Sequence, residues 1–132
     1  MTLVVDASVV VAALIDSGAE GTWAEHLLAS ESLAAPHLMP VEAANILRLA
    51  ALAGDISQDS ASLAHADLLA LPVELFPYEP FALRVWDLRG GVTAYDAWYV
   101  AIAESLDLTL ATLDRRLTRA NGPRCQFITL AV

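Results

Sequence analysis

Residues 1–15, MTLVVDASVVVAALI, decide how the rest of the chain is read. Leu3, Val4 and Val5 form a short apolar run rich in β-branched residues, which suits a strand buried on both faces. The apolar pattern resumes at Val9, where residues 9–14 suit a helix. Between the two stands Asp6. An ionised carboxylate taken out of water without partners is strongly destabilising, so an aspartate at the end of a buried strand needs either a structural or a chemical reason.

The chain beyond this stretch alternates short strand signals with longer helical ones. Helical segments fall at residues 21–30, 39–53, 57–71, 78–88, 93–106 and 115–120, and strands at 2–5, 32–35, 73–76, 109–111 and 127–130. Ala and Leu favour the helix at 39–53, with Gly54 as its stop, and Ser57 is a candidate N-cap for the next. Strands alternating with helices predict the α/β class: a three-layer α/β/α arrangement around a central, mainly parallel sheet. In such sheets a site forms in the crevice at the carboxyl ends of the strands.

Four acids fall at equivalent places with respect to that crevice. Asp6 ends the first strand, and Asp114, in LTLATLDRRL, follows a later one. Glu42, in PHLMPVEAANIL, lies in the first turn or so of its helix if Pro40 is near the helix start. Asp96, in GVTAYDAWYVAIA, is three residues after Thr93 at another helix start. Each acid also has a purely structural explanation. Thr93 and Asp96 have the outline of a capping box, Asp114 suits the N-cap of the short helix after it, Glu42 suits the positive end of a helix dipole, and Asp6 can accept backbone N–H groups of the turn before Val9.

Taken together the four point further. Tyr95, Trp98, Val100 and Ile102 surround Asp96, and Asp6 sits among Val and Ala, so these are not ordinary solvated acids. Carboxylates crowded into one crevice repel each other, and a cation removes the conflict. An all-oxygen set without His or Cys suits Mg²⁺ or Mn²⁺ and disfavours Zn²⁺. Such a centre performs metal-assisted hydrolysis, of which in-line displacement at phosphorus is the prime example.

Composition narrows the alternatives. A length of 132 residues, 57% of them hydrophobic, predicts a single domain over residues 1–132 with a full core. No apolar run approaches the ~18 residues of a membrane span, and no basic region precedes the first apolar segment, so a cytoplasmic location is expected. Cys125 is the single cysteine, and His26, His37 and His65 have no ligand spacing, which excludes a multi-thiolate zinc site. The net charge of −9 argues against a general polyanion binder. It is unevenly spread: residues 1–80 hold eleven acids and only Arg48, for −10, and residues 81–132 hold five acids and six arginines, for +1.

On four stretches the chain resembles the PIN-domain ribonucleases, in particular the VapC toxins of bacterial toxin–antitoxin pairs. These are VVDASVVVAAL, the P-x-L-x-x-x-E-x-x-N pattern from Pro36 to Asn45, TAYDAWYVAIA and LATLDRRL, in an order and spacing that covers nearly the whole chain. The resemblance implies a metal-dependent endoribonuclease in which Asp6, Glu42, Asp96 and Asp114 bind Mg²⁺, with Mn²⁺ as substitute. It also implies that Ser8, Asn45 and Thr112 help order the pocket, that a VapB-type antitoxin neutralises the protein, and that the protein forms a homodimer.

Arg115, Arg116 and Arg119, beside Asp114, are candidate RNA contacts, as are Arg84 and Arg89 ahead of Asp96; a solvated face or ion pairing is their bland alternative. Trp23, Trp86 and Trp98 suit packing better than base stacking. Two other functions compete. A non-catalytic PIN-fold interaction module would be expected to have lost some of the acids. An aspartate-based phosphotransfer domain would use a lysine, and the chain has none.

Overall fold

The computed structural model describes residues 1–131. In chain order the elements are Thr2–Val5 (β1), Ala7–Ile15 (α1), Ala19–Ser30 (α2), Ser32–Pro36 (β2), Leu38–Leu52 (α3) and Gln58–Ala70 (α4). Val73–Phe76 (β3), Ala82–Asp87 (α5), Ala94–Leu106 (α6), Thr109–Ala111 (β4), Arg115–Thr118 (α7) and Phe127–Ile128 (β5) follow.

The strands form one sheet in the order β3-β2-β1-β4-β5, and every neighbouring pair is parallel. β1 is central, with Leu3 opposite Leu33 on β2 and Val5 opposite Ala111 on β4. Val4 and Val5 are wholly buried, as the uninterrupted apolar run predicts for a strand covered on both faces. From β1 the chain steps outward through β2 to β3, then crosses back past β1 to begin β4. Right-handed crossovers place the helices of the first leg on one face and those of the second leg on the other. Packing agrees: α1 contacts α2, α3 and α4, whereas α6 contacts α5 and lies across β1, β2 and β4. The reversal leaves a crevice between the carboxyl ends of β1 and β4, where open α/β sheets place their ligands.

Helix ends are set by local chemistry. Ser57 Oγ accepts the Ser60 N–H at 3.0 Å and caps α4. Gly54, at φ +80°, ends α3; its N–H reaches the Ala51 carbonyl while that of Asp55 reaches Ala50, the paired bonds of a Schellman motif.

Three expectations need correction. α3 begins at Leu38, with Pro40 as its third residue, because the first-turn N–H groups have no partner inside a helix and proline there loses nothing. Glu42 therefore lies in the second turn and does not face the helix terminus. Residues 78–88 are not one helix: a 3₁₀ turn at Glu79–Phe81, α5, and a second 3₁₀ turn at Leu88–Gly90 succeed one another. Finally, α7 and β5 are shorter than the segments 115–120 and 127–130. Among the described residues no helix is long and apolar enough to cross a membrane.

Candidate active site

Asp6 is where the two legs of the fold meet. Its backbone N–H donates to Ala111 of β4, and its side chain caps α1, Oδ1 accepting the Val9 N–H at 3.2 Å. The Ser8 hydroxyl donates to the same oxygen at 2.5 Å, and the Thr112 hydroxyl donates to Oδ2. Both hydroxyls are themselves held from the segment after β4: Ser8 Oγ accepts the Leu113 N–H and Thr112 Oγ1 the Asp114 N–H. The carboxylate is 8% exposed and Thr112 not at all. Burial raises the Asp6 pKa, the bonds from Ser8, Thr112 and Val9 oppose that rise, and the charge of Asp96 adds to it.

The other three acids approach from separate helices. Glu42, on α3, accepts the Tyr99 hydroxyl at Oε1, 2.6 Å away, from the buried face of α6. Its pKa is raised by desolvation, which the charges of Asp96 and Asp6 reinforce and the Tyr99 bond opposes. Asp96 is in the first turn of α6, its N–H capped by Thr93 Oγ1 at 3.2 Å. Desolvation and the charge of Asp114 raise its pKa, against a lowering by Arg116. Asp114 is the N-cap of α7, Oδ1 accepting the N–H groups of Arg116 at 3.0 Å and Leu117 at 3.4 Å. The capping explanations for Asp6 and Asp114 thus hold, and they place both carboxylates at the crevice instead of competing with a role there.

All four acids line a single cavity of about 290 Å³, together with Ser8, Asn45 and Tyr99. Its donors are oxygens, and the N-termini of α1, α6 and α7 border it. Among the described residues no three His, Cys, Asp or Glu side chains stand close enough to cage a metal by themselves. The four carboxylates therefore do not by themselves close a cage. That donor chemistry fits a hard ion that keeps part of its hydration shell. It does not fit Zn²⁺, which prefers a compact set of nitrogen and sulfur ligands. The upward shifts of Asp6, Glu42 and Asp96 come first from burial, with neighbouring carboxylate charge adding to them, and a cation in the cavity would oppose both.

The remaining candidates separate. Arg116 is at the rim, 91% exposed, with Nε 3.8 Å from Asp114 Oδ1. Arg115 turns away and donates to the Leu130 carbonyl, and Arg119 is the C-cap of α7, outside the acidic cavity. Arg84 pairs with Glu104 at 2.6 Å and also donates to the Gly122 carbonyl. Arg89 stacks over Trp86, 4.6 Å from the ring centroid. Trp23 and Trp98 pack against the core, Trp98 edge-on to Tyr78, while Trp86 is exposed. Cys125 is a half-buried thiol whose pKa burial pushes up to about 11.

Sequence reasoning did not single out Tyr99. The available signal was its spacing three residues after Asp96, which puts both on one helix face.

Comparison with known proteins agrees with this geometry. The PIN domain family matches residues 3–123, a span that contains all four acids. Ribonuclease VapC1 of Mycobacterium tuberculosis is 41% identical over 125 residues, covering 94% of each chain. Among solved structures, PAE2754 from Pyrobaculum aerophilum superposes with a TM-score of 0.68 at 32% identity, covering 90% of this chain and 78% of that one. VapBC2 from Rickettsia felis, bound to a DNA fragment from its promoter, reaches 0.68 at 13% identity, covers 99% of this chain and 100% of that one, and shares the fold. By the match of a family pattern across most of its length and by close relatives of nearly equal extent, the chain belongs to the PIN-domain family, among its VapC members.

Proposed function

We propose that the chain is the ribonuclease toxin of a VapBC-type pair, cutting RNA phosphodiester bonds with Mg²⁺ or Mn²⁺ held by Asp6, Glu42, Asp96 and Asp114. The observation that carries this reading is the convergence of those four carboxylates on one cavity at the β1–β4 crevice. An ion bound there supplies a lowered pKa for attacking water and positive charge for the oxygens of an in-line displacement. The chain's own part is placement. Ser8 and Thr112 hold both oxygens of Asp6, and each oxygen keeps lone-pair capacity for a further partner. Tyr99 fixes Glu42 through Oε1 and leaves Oε2 for the ion or its waters. The first turns of α1, α6 and α7 offset carboxylate repulsion until a cation arrives.

A VapB-type antitoxin is the matching partner. The −10 balance of residues 1–80 and the acidic cavity favour a basic segment laid over the site. Homodimer formation belongs to the same proposal, supported by exposed apolar side chains such as Leu49, Leu83 and Trp86.

The test uses protein free of antitoxin. Mg²⁺ or Mn²⁺ at about 100 times its dissociation constant should stabilise the fold by about 2.7 kcal/mol. RNA cleavage should require the ion and disappear in Asp6→Asn. A wild-type melting temperature indifferent to saturating metal, or equal cleavage by Asp6→Asn, would defeat the proposal.

A further inference from the structure

A second cavity, of about 320 Å³, adjoins the acidic one and shares two of its walls, Asp96 and Asp114. Its far side is built from Gly91, Thr93 and Arg116, between the start of α6 and α7. Gly91 is needed for this shape, because a Cβ there would come within 2.2 Å of the Asn121 carbonyl oxygen. Among the described residues Arg116 is the one cation that lines either cavity. Its contact with Asp114 is a loose 3.8 Å from Nε, and its Nη groups donate no hydrogen bond to a described residue. The planar donor fork is therefore available for a ligand, and its geometry matches a phosphate.

Resting on the nuclease reading above, we propose that this second cavity binds the phosphodiester next to the one that is cut, with Arg116 as its clamp. A polynucleotide whose scissile group lies among the four acids must carry its next phosphate past one wall of the cavity. On the Glu42 side the lining continues with Asn45 and Ile46 and offers no cation, and the Arg48 side chain of α3 borders a different cleft, beside His65 of α4. On the Asp96–Asp114 side the strand meets Arg116 at once. Both walls repel a phosphate, and only one has a compensating charge beyond it. Arg115 and Arg119 do not share the role, since one is bound to the Leu130 carbonyl and neither lines these two cavities. The clamp also gives direction, because a strand gripped on one flank of the cleaved bond threads the site in one polarity.

The experiment uses the full chain and a short single-stranded RNA spanning a site that wild type cuts. Each phosphate flanking that site is replaced in turn by a neutral methylphosphonate. In wild type, one such replacement on one flank should raise KM by about fivefold, the scale of an exposed charge contact. In Arg116→Gln, KM for the unmodified RNA should rise by the same factor with kcat and melting temperature little changed. That particular methylphosphonate should then carry no further penalty, and the salt slope of binding should fall by ~0.7. Arg116→Lys should recover part of the loss. If Arg116→Gln keeps the wild-type KM, or shows the wild-type penalty at the same linkage, the clamp is wrong and the nuclease reading stands. If wild type with metal cuts no RNA, the nuclease reading falls and takes the clamp with it.

Discussion

At the scale of the residue, Asp6 shows how a buried charge is kept. Its two oxygens take three donors, and two of those are hydroxyls that pass the restraint on to backbone N–H groups after β4. Thr112→Val keeps the volume and removes the donor, leaving Asp6 Oδ2 and the Asp114 N–H short of a partner. The expected loss is about 1–3 kcal/mol in urea unfolding with an unchanged m-value, together with weaker divalent-ion binding. A stability equal to wild type would mean that the Thr112 hydroxyl is not holding the carboxylate. Asp6 itself was legible in the sequence because a charge interrupts an apolar run. Thr112 was legible only through resemblance, since a threonine at a strand end is ordinary in pattern. Tyr99 was legible only through its spacing from Asp96, because a polar tip on an aromatic ring does not stand out in a segment whose pattern marks it as core.

At the scale of the element, the strands and the long helices followed from periodicity, because a buried parallel strand and an Ala/Leu-rich helix are each locally consistent. The misreadings occurred where local rules allow more than one outcome. Pro40 is acceptable at any first-turn position, so it did not fix the start of α3, which at Leu38 puts Glu42 just beyond the first turn. Pro80 is the second residue of a 3₁₀ turn, which divides a segment whose apolar spacing alone reads as a continuous helix. The end of α3 was better marked, by a glycine whose φ of +80° other residues resist. Gly54→Ala should cost about 1 kcal/mol, entirely through the backbone, since no atom of the described residues lies within 4 Å of the added methyl. The shift in melting temperature on adding Mg²⁺ should be the same in the variant as in wild type. A changed shift would tie this distant turn to the acidic cavity.

At the scale of the whole molecule, charge governs the pH response. Asp6, Glu42 and Asp96 all have folded-state pKa values above their ordinary 3.8, 4.5 and 3.8, so the folded protein binds those protons more tightly than the unfolded chain does. Their contribution to stability is complete below the ordinary values and is lost as pH rises through the raised ones. Metal-free protein should therefore melt at falling temperature as pH climbs from about 4 toward neutrality. Asp6→Asn should flatten that decline, and saturating Mg²⁺ should lift the neutral end of the curve. A wild-type profile matching that of Asp6→Asn would show that Asp6 titrates as it does in the unfolded chain.

The stitching of Asp6 to residues 112–114 has a further consequence, in time. On the ribosome, Asp6 emerges early and Glu42 soon after, but the hydroxyl and strand that hold Asp6 belong to a segment made more than a hundred residues later. Until β4 docks, β1 has β2 on one side only and Asp6 lacks its Thr112 partner. With the four acids acting as proposed, cleaving power is thus withheld from every nascent chain that has not reached Asp114. A cell making this protein meets the finished enzyme only after synthesis has passed that point, when a partner translated alongside can already be waiting.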